Sequence, residues 1–370
     1  MHIFYAAPTT AHQSHLPTSK LWEYNLYRPL IDLGHEVVVF DFDYTEFNYH
    51  LDPANPKNRE FITINRPHFG AELLKQVKAV HAQRPLDLFF SYFYSSYVEP
   101  EVIREIGRLG ITTVNWYCNA SYQFHLVSDI APAYNYCLVP EKFRLDDYRR
   151  IGARPIYCQE AANPNIYKPY PLSHEFDITF VGQRYGDRPM YLRRLWKAGL
   201  DVHAWGPHWQ DPTPLWRRVA RSLKQGLRGH NPWQVFTNDF PLERCGPPLS
   251  DEELIKMYSR SRISLGFSSV AEQPVPGQPP IKQVRLRDFE APMSGAFYMV
   301  EAYDELQEFF EPDKEIVFFT SAEELIDKTR YYLAHDAERE RIRQAGMQRA
   351  RIEHSWHERF RMVFREIGLG

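Results

Sequence analysis

Two short stretches hold residues whose types and spacing could do chemistry. The first is VGQRYGDRPMY, residues 181–191. Gly182 and Gly186 let the backbone come close to a ligand. Arg184 and Arg188 flank them, and Pro189 opens a helix whose first amides point back at the turn. Glycines, arginines and a helix N-terminus together suit a diphosphate; the bland counterpart is a tight turn with surface arginines. The second is KQVRLRDFEAPMSGAFYMV, residues 282–300. It sets Glu290 before a small-residue turn at Ser294-Gly295, with Lys282, Arg285 and Arg287 just ahead. Either a helix pairs its own charges there or something anionic is held. A solvated Arg287–Glu290 pair would contribute only ~0.2–0.5 kcal/mol.

Other chemistries are disfavoured. Neither half carries G-x-G-x-x-G or a P-loop, and the turn after the first strand, APTTAHQSH, has no glycine. That argues against a nicotinamide or ATP site of the usual kind. The same turn holds His12 and His15, candidate bases for a hydroxyl proton near neutral pH, or else ordinary polar loop histidines. No D-x-D pair lies in a suitable loop, since Asp41 and Asp43 of FDFD end a first-half strand, so no obligatory metal is expected, and no cofactor. Four cysteines lie far apart with no C-x-x-C pair, which reads as reduced and metal-free.

The elements that must position these residues follow from pattern. The chain has 370 residues, 44% hydrophobic, enough for two cored domains. A formal charge of -3 gives no global pull toward nucleic acid. In the first half, HIFYAA, HEVVVFDF, LDLFFSYF, ITTVNWYC and YCLVP read as strands. They alternate with helices at KLWEYNLYRPLIDLG, HFGAELLKQVKAVHAQ and EPEVIREIGRLG. After the proline-rich AANPNIYKPYPLSHEF the pattern restarts with DITFVGQ (strand), RPMYLRRLWKAGL (helix) and DVHAWGP (strand). SDEELIKMYSRSR (helix), ISLGFSS (strand), the stretch from Lys282 (helix), AFYMVEA and EIVFF (strands) follow, then a helical tail with a capping-box spacing at Ser321 and Glu324. The expected class is α/β, two doubly wound Rossmann-like domains facing across a cleft, with ligands at the carboxyl ends of the strands. The N-terminus lacks a signal-peptide pattern and no stretch approaches ~18 apolar residues, so the expected location is cytoplasmic. PLWRRVARSLKQGLRGH, 214–230, reads as a basic amphipathic helix. It suits a peripheral contact with an anionic membrane, or packing on its own domain.

In order and spacing, DITFVGQRYGDRPMYLRRLWKAGLDVHAWGPHW, PLSDEELIKMYSRSRISLGF and RLRDFEAPMSGAFY resemble the C-terminal half of GT-B glycosyltransferases. EAANPNIYKPYP and the tail from EIVFF to HERF are similar to the spore-maturation, CgeB-type branch. The resemblance implies a metal-independent glycosyltransferase of hexosyl type. The donor would be a nucleotide diphospho-sugar, the acceptor a glycan, lipid-linked group or protein, and nucleic acid no partner. It implies an N-terminal acceptor-side domain over 1–165, a donor domain over 170–350, and a C-terminal helix, 351–370, crossing back onto the first. It places the donor on Gly182, Arg184, Arg188, Lys282, Arg285, Arg287, Glu290 and Gly295, with Glu290 accepting from the ribose. Two positions depart from the family pattern. Gln183 stands where an arginine usually follows the first glycine, and Lys282 stands where a sugar-facing glutamate is usual. The alternatives are a nucleotide-sugar 2-epimerase-like isomerase, or a non-catalytic nucleotide-sugar-binding protein of a coat or envelope assembly.

Overall fold

A computed structural model describes residues 1–7, 20–210, 240–270 and 280–370, together with 216, 219, 220, 222 and 223. The chain divides into two compact units, Met1–Ile166 with His354–Gly370, and Tyr167–Glu353.

In the first unit six strands form one parallel sheet in the order β2-β1-β3-β4-β5-β6. They are β1 (His2–Ala6), β2 (Glu36–Val39), β3 (Leu88–Ser91), β4 (Thr112–Trp116), β5 (Tyr136–Val139) and β6 (Pro155–Tyr157). Ile3 lies opposite both Val37 and Leu88. All of β1 and β3 is buried, as near-continuous apolar runs covered on both faces should be. The helix Pro56–Gln83 is longer than its pattern indicates. It begins twelve residues before HFGAELLKQVKAVHAQ and carries Pro67 inside it. The true cap is Asn55, whose Oδ1 accepts from the Lys57 amide at 3.1 Å.

The helix Trp356–Glu366 completes this unit's core. Ser355 caps it by accepting from the Glu358 amide at 3.2 Å. Trp356, Phe360, Val363 and Phe364 fall on one helical face and are all buried. Trp356 meets Trp116 edge-on at 4.9 Å, and Phe360 meets Phe90 at 5.6 Å.

In the second unit the order is β12-β11-β10-β7-β8-β9, again parallel. The strands are β7 (Phe176–Val181), β8 (Val202–Trp205), β9 (Cys245–Gly246), β10 (Ser261–Gly266), β11 (Tyr298–Glu301) and β12 (Val317–Phe319). Winding proceeds outward from β7 through β8 and β9, then resumes on the other side with β10. The reversal between β7 and β10 leaves a crevice at their carboxyl ends, where α/β sheets of this kind hold ligands. Ile178 faces Ile263 across that reversal.

Two sequence expectations change here. The helix before β11 is only Arg287–Met293. Asp288 accepts from the Arg285 amide at 2.8 Å, and Lys282 forms an isolated antiparallel bridge with Ser269. Lys282 and Arg285 therefore lie on extended chain ahead of the helix. Strand β9, only two residues long, carried no pattern of its own. His12 and His15 lie outside the described residues. So does most of 214–230, of which Trp216, Val219 and Leu223 are described and are 66%, 44% and 65% exposed.

Candidate functional site

The site is built where β7 ends. The Gly182 amide donates to the Trp205 carbonyl at 2.7 Å, and its own carbonyl accepts from Trp209 Nε1 at 2.6 Å. A Cβ at Gly182 would lie 2.7 Å from the Phe180 ring and 2.8 Å from Arg287 Nη1, so glycine is what lets that arginine reach the turn. Gly186 has φ +56°, in the left-handed region, and turns the chain into the helix Arg188–Lys197.

Arg188 is the central group. It is 5% exposed. Its Nη1 donates to the Gln183 carbonyl at 2.9 Å and its Nη2 to the Tyr185 hydroxyl at 2.5 Å. The guanidinium lies 3.7 Å from the centre of the Tyr185 ring, with Phe180 and Phe267 beyond. Its Nε is buried with no acceptor, and among the described residues no carboxylate forms an ion pair with it. Burial, with Arg285 and Arg287 nearby, pulls its pKa down to about 9, although Tyr185 works against the shift.

Arg285 donates through Nη2 to the Ser269 carbonyl at 2.8 Å, and its Nε too is buried without an acceptor. Arg287 sits 3.7 Å from Glu290 Oε1. Burial disfavours its charge, but Tyr258, Glu290 and Tyr298 outweigh that and hold it protonated. Glu290 is 4% exposed, and its Oε1 also accepts from the Tyr258 hydroxyl at 2.9 Å. Burial raises its pKa, and Arg287 opposes the rise. Asp288, also raised by burial, accepts from the Tyr298 hydroxyl at 2.7 Å and so fixes the start of this helix.

The structure thus gathers Arg188, Arg285 and Arg287, with Gly182 making room. Arg184 is tied to the next loop through its backbone. Its amide donates to the Pro207 carbonyl at 3.0 Å. Its charge acts on Cys245 of β9, whose thiol burial pushes up to about 11 against that influence. Gly295 is not brought to the site. It has φ +80° at the far end of the short helix, and its carbonyl accepts from Arg343 at 3.0 Å.

Lys282 donates to the Ala302 carbonyl at 2.8 Å and pairs with Glu301 at 3.0 Å. Glu301 ends β11, and its carboxylate also accepts from the amides of Ser268 and Ser269, both at 3.1 Å. Sequence reasoning missed Glu301, Ser269 and Tyr185. The available signal for Glu301 was an acid closing an apolar strand at its carboxyl end. Tyr185, Arg188, Tyr191, Phe267, Ser269 and Glu301 border a pocket of about 60 Å³, room for a few waters.

Residues 188–365 match a family model described as glycosyl transferase-like. Solved structures are similar over the whole chain. A sucrose-phosphate synthase from Thermosynechococcus elongatus has a TM-score of 0.57 at 13% identity, over 100% of this chain and 99% of that one. Anabaena HepE, solved with UDP and glucose, has a TM-score of 0.57 at 10% identity, over 100% of both chains. AviGT4, a glycosyltransferase involved in avilamycin A biosynthesis, gives 0.54 at 14% identity, over 100% and 97%. No curated protein matches the chain in sequence. Two parallel six-stranded sheets with helices, aligned end to end with these proteins, make this the GT-B fold. No helix among the described residues is long and apolar enough to cross a membrane.

Proposed function

We propose that this protein is a glycosyltransferase of hexosyl type that takes a sugar from a nucleotide diphospho-sugar. The observation that carries the reading is Arg188, a buried guanidinium with no acidic partner among the described residues and two further arginines beside it. Such a group costs stability unless an anion meets it. A diphosphate at the end of β7 would meet Arg188, Arg285, Arg287 and the first amides of the helix Arg188–Lys197. When the bond at the anomeric carbon breaks, negative charge grows on the leaving diphosphate. Fixed guanidinium groups stabilise that charge most in the transition state, and in this reading they do so without a metal ion. Glu290 Oε1 is taken by Tyr258 and Arg287, which leaves Oε2 for a ribose hydroxyl. HepE was solved with UDP and with UDP-glucose, so uridine diphospho-sugars are the first donors to test. The acceptor is a hydroxyl on a glycan, a lipid-linked group or a protein. The exposed Trp216, Val219 and Leu223, in a stretch whose sequence is rich in arginine, suit peripheral attachment to the inner membrane face.

The test is incubation with a panel of nucleotide sugars, followed by chromatography. Release of free nucleotide, lost in Arg188→Met, is the expected result. Interconversion of the sugars without release would replace this reading with an isomerase. Thermal stabilisation without any turnover would reduce it to binding.

A further inference from the structure

We propose that Tyr185 is a displaceable plug in the diphosphate site, holding the place of a phosphate oxygen on Arg188 until a ligand arrives. The inference rests on the reading that this site takes a diphosphate. The Tyr185 hydroxyl is 2.5 Å from Arg188 Nη2 and 3.4 Å from the Ser269 carbonyl, so it accepts from one wall of the pocket and donates to the other. Its ring lies 3.7 Å from the same guanidinium. One side chain thus supplies both an oxygen and a π face to a buried cation that no carboxylate among the described residues pairs with. Both are weaker than what a phosphate offers, a charged acceptor matched to the guanidinium fork.

The setting allows the exchange. Tyr185 is only half-buried, on the turn between β7 and the helix Arg188–Lys197. Gly186 follows it with φ +56° and nothing within 4 Å of where a Cβ would stand, so the backbone beside the ring has room to move. The pocket it borders is about 60 Å³, room for a few waters, and swinging the ring out would enlarge it. Arg188, by contrast, is pinned through Nη1 to the Gln183 carbonyl at 2.9 Å, so the cation stays while the phenol leaves. The apparent affinity of a ligand is reduced by the fraction of molecules in which the plug is closed.

The experiment uses the full chain, with inorganic pyrophosphate and UDP as probes. Calorimetry is run on the wild type, Tyr185→Phe and Tyr185→Ala. Removing the ring and the hydroxyl should tighten pyrophosphate binding roughly tenfold, and removing the hydroxyl alone by roughly threefold. A residue that merely shapes the turn would not produce the second signature. The Tm without ligand should fall in both variants, because Arg188 loses its stand-in, while the ligand-induced rise in Tm grows. If Tyr185→Ala fails to fold, Tyr185→Phe carries the test. Variants that bind both probes at wild-type affinity or more weakly would overturn the plug and leave the donor reading standing. A wild type that binds neither probe would sink both.

Discussion

Replacing Arg188 with methionine should make the unliganded protein more stable and abolish its response to nucleotide. The magnitude follows from the burial of the guanidinium. Burial in this site pulls the guanidinium's pKa down to about 9, well below that of a free arginine. At about 1.36 kcal/mol for each tenfold change in proton affinity, that lowering disfavours the charged form by on the order of 5 kcal/mol. The hydrogen bonds to Gln183 and Tyr185 return about 1 kcal/mol each, and the stack on Tyr185 about 0.5–2 kcal/mol. Methionine fills similar space with no charge, so the net gain should be about 1–2 kcal/mol. For a unit of this size that is a Tm higher by roughly 3–6 °C. The sign with pH is fixed as well. The unfolded chain binds this proton more tightly, so the wild-type deficit is full below about pH 9 and is relieved only as pH climbs beyond it. Melting curves at pH 7.5 and pH 9.5, with and without pyrophosphate, provide the assay. The difference between variant and wild type should be larger at the lower pH, and only the wild type should gain Tm with ligand. A methionine variant that melts several degrees below wild type at pH 7.5 would refute the reasoning, because Arg188 would then be a paired structural group. Persistent stabilisation of the variant by pyrophosphate would refute it equally.

Glu290→Ala should lower the urea midpoint as well as donor affinity. It strands Arg287 and Tyr258, a loss of about 3–5 kcal/mol, and removes a proposed ribose contact worth ~1.5–3 kcal/mol; an unchanged midpoint would show that the buried pair contributes nothing. Gly182→Ala puts a methyl 2.8 Å from Arg287 Nη1. Calorimetry should show weakened pyrophosphate binding together with an overpacking cost of about 1–3 kcal/mol. Trp356→Ala should destabilise the first unit by about 3–5 kcal/mol. Nucleotide-induced stabilisation of the second unit should survive that change, which differential scanning calorimetry would resolve as two transitions moving independently.

The turn from Gly182 to Pro189 was legible in the sequence because its content is local. Glycine for close approach and proline at a helix start each act within a few residues. The alternation of strands and helices was legible for the same reason. Glu301, Ser269 and Tyr185 were not. Their meeting depends on β7, β10 and β11 lying side by side in register, which sets the end of β11 against the loops after the other two. No spacing along the chain encodes that. Gly206 is a similar case. A Cβ there would fall 2.3 Å from the Gly182 carbonyl, a constraint that exists only once β7 and β8 pair.

The first unit takes its last helix from the far end of the chain. A ribosome therefore finishes the second unit before the first can close. At ~5–20 residues per second, making the intervening segment takes roughly ten to forty seconds. During that interval Phe90 and Trp116 lie open where Phe360 and Trp356 will later dock. Nascent chains stalled before His354 should accordingly recruit hydrophobic-surface chaperones through their earlier half, although that half was synthesised first.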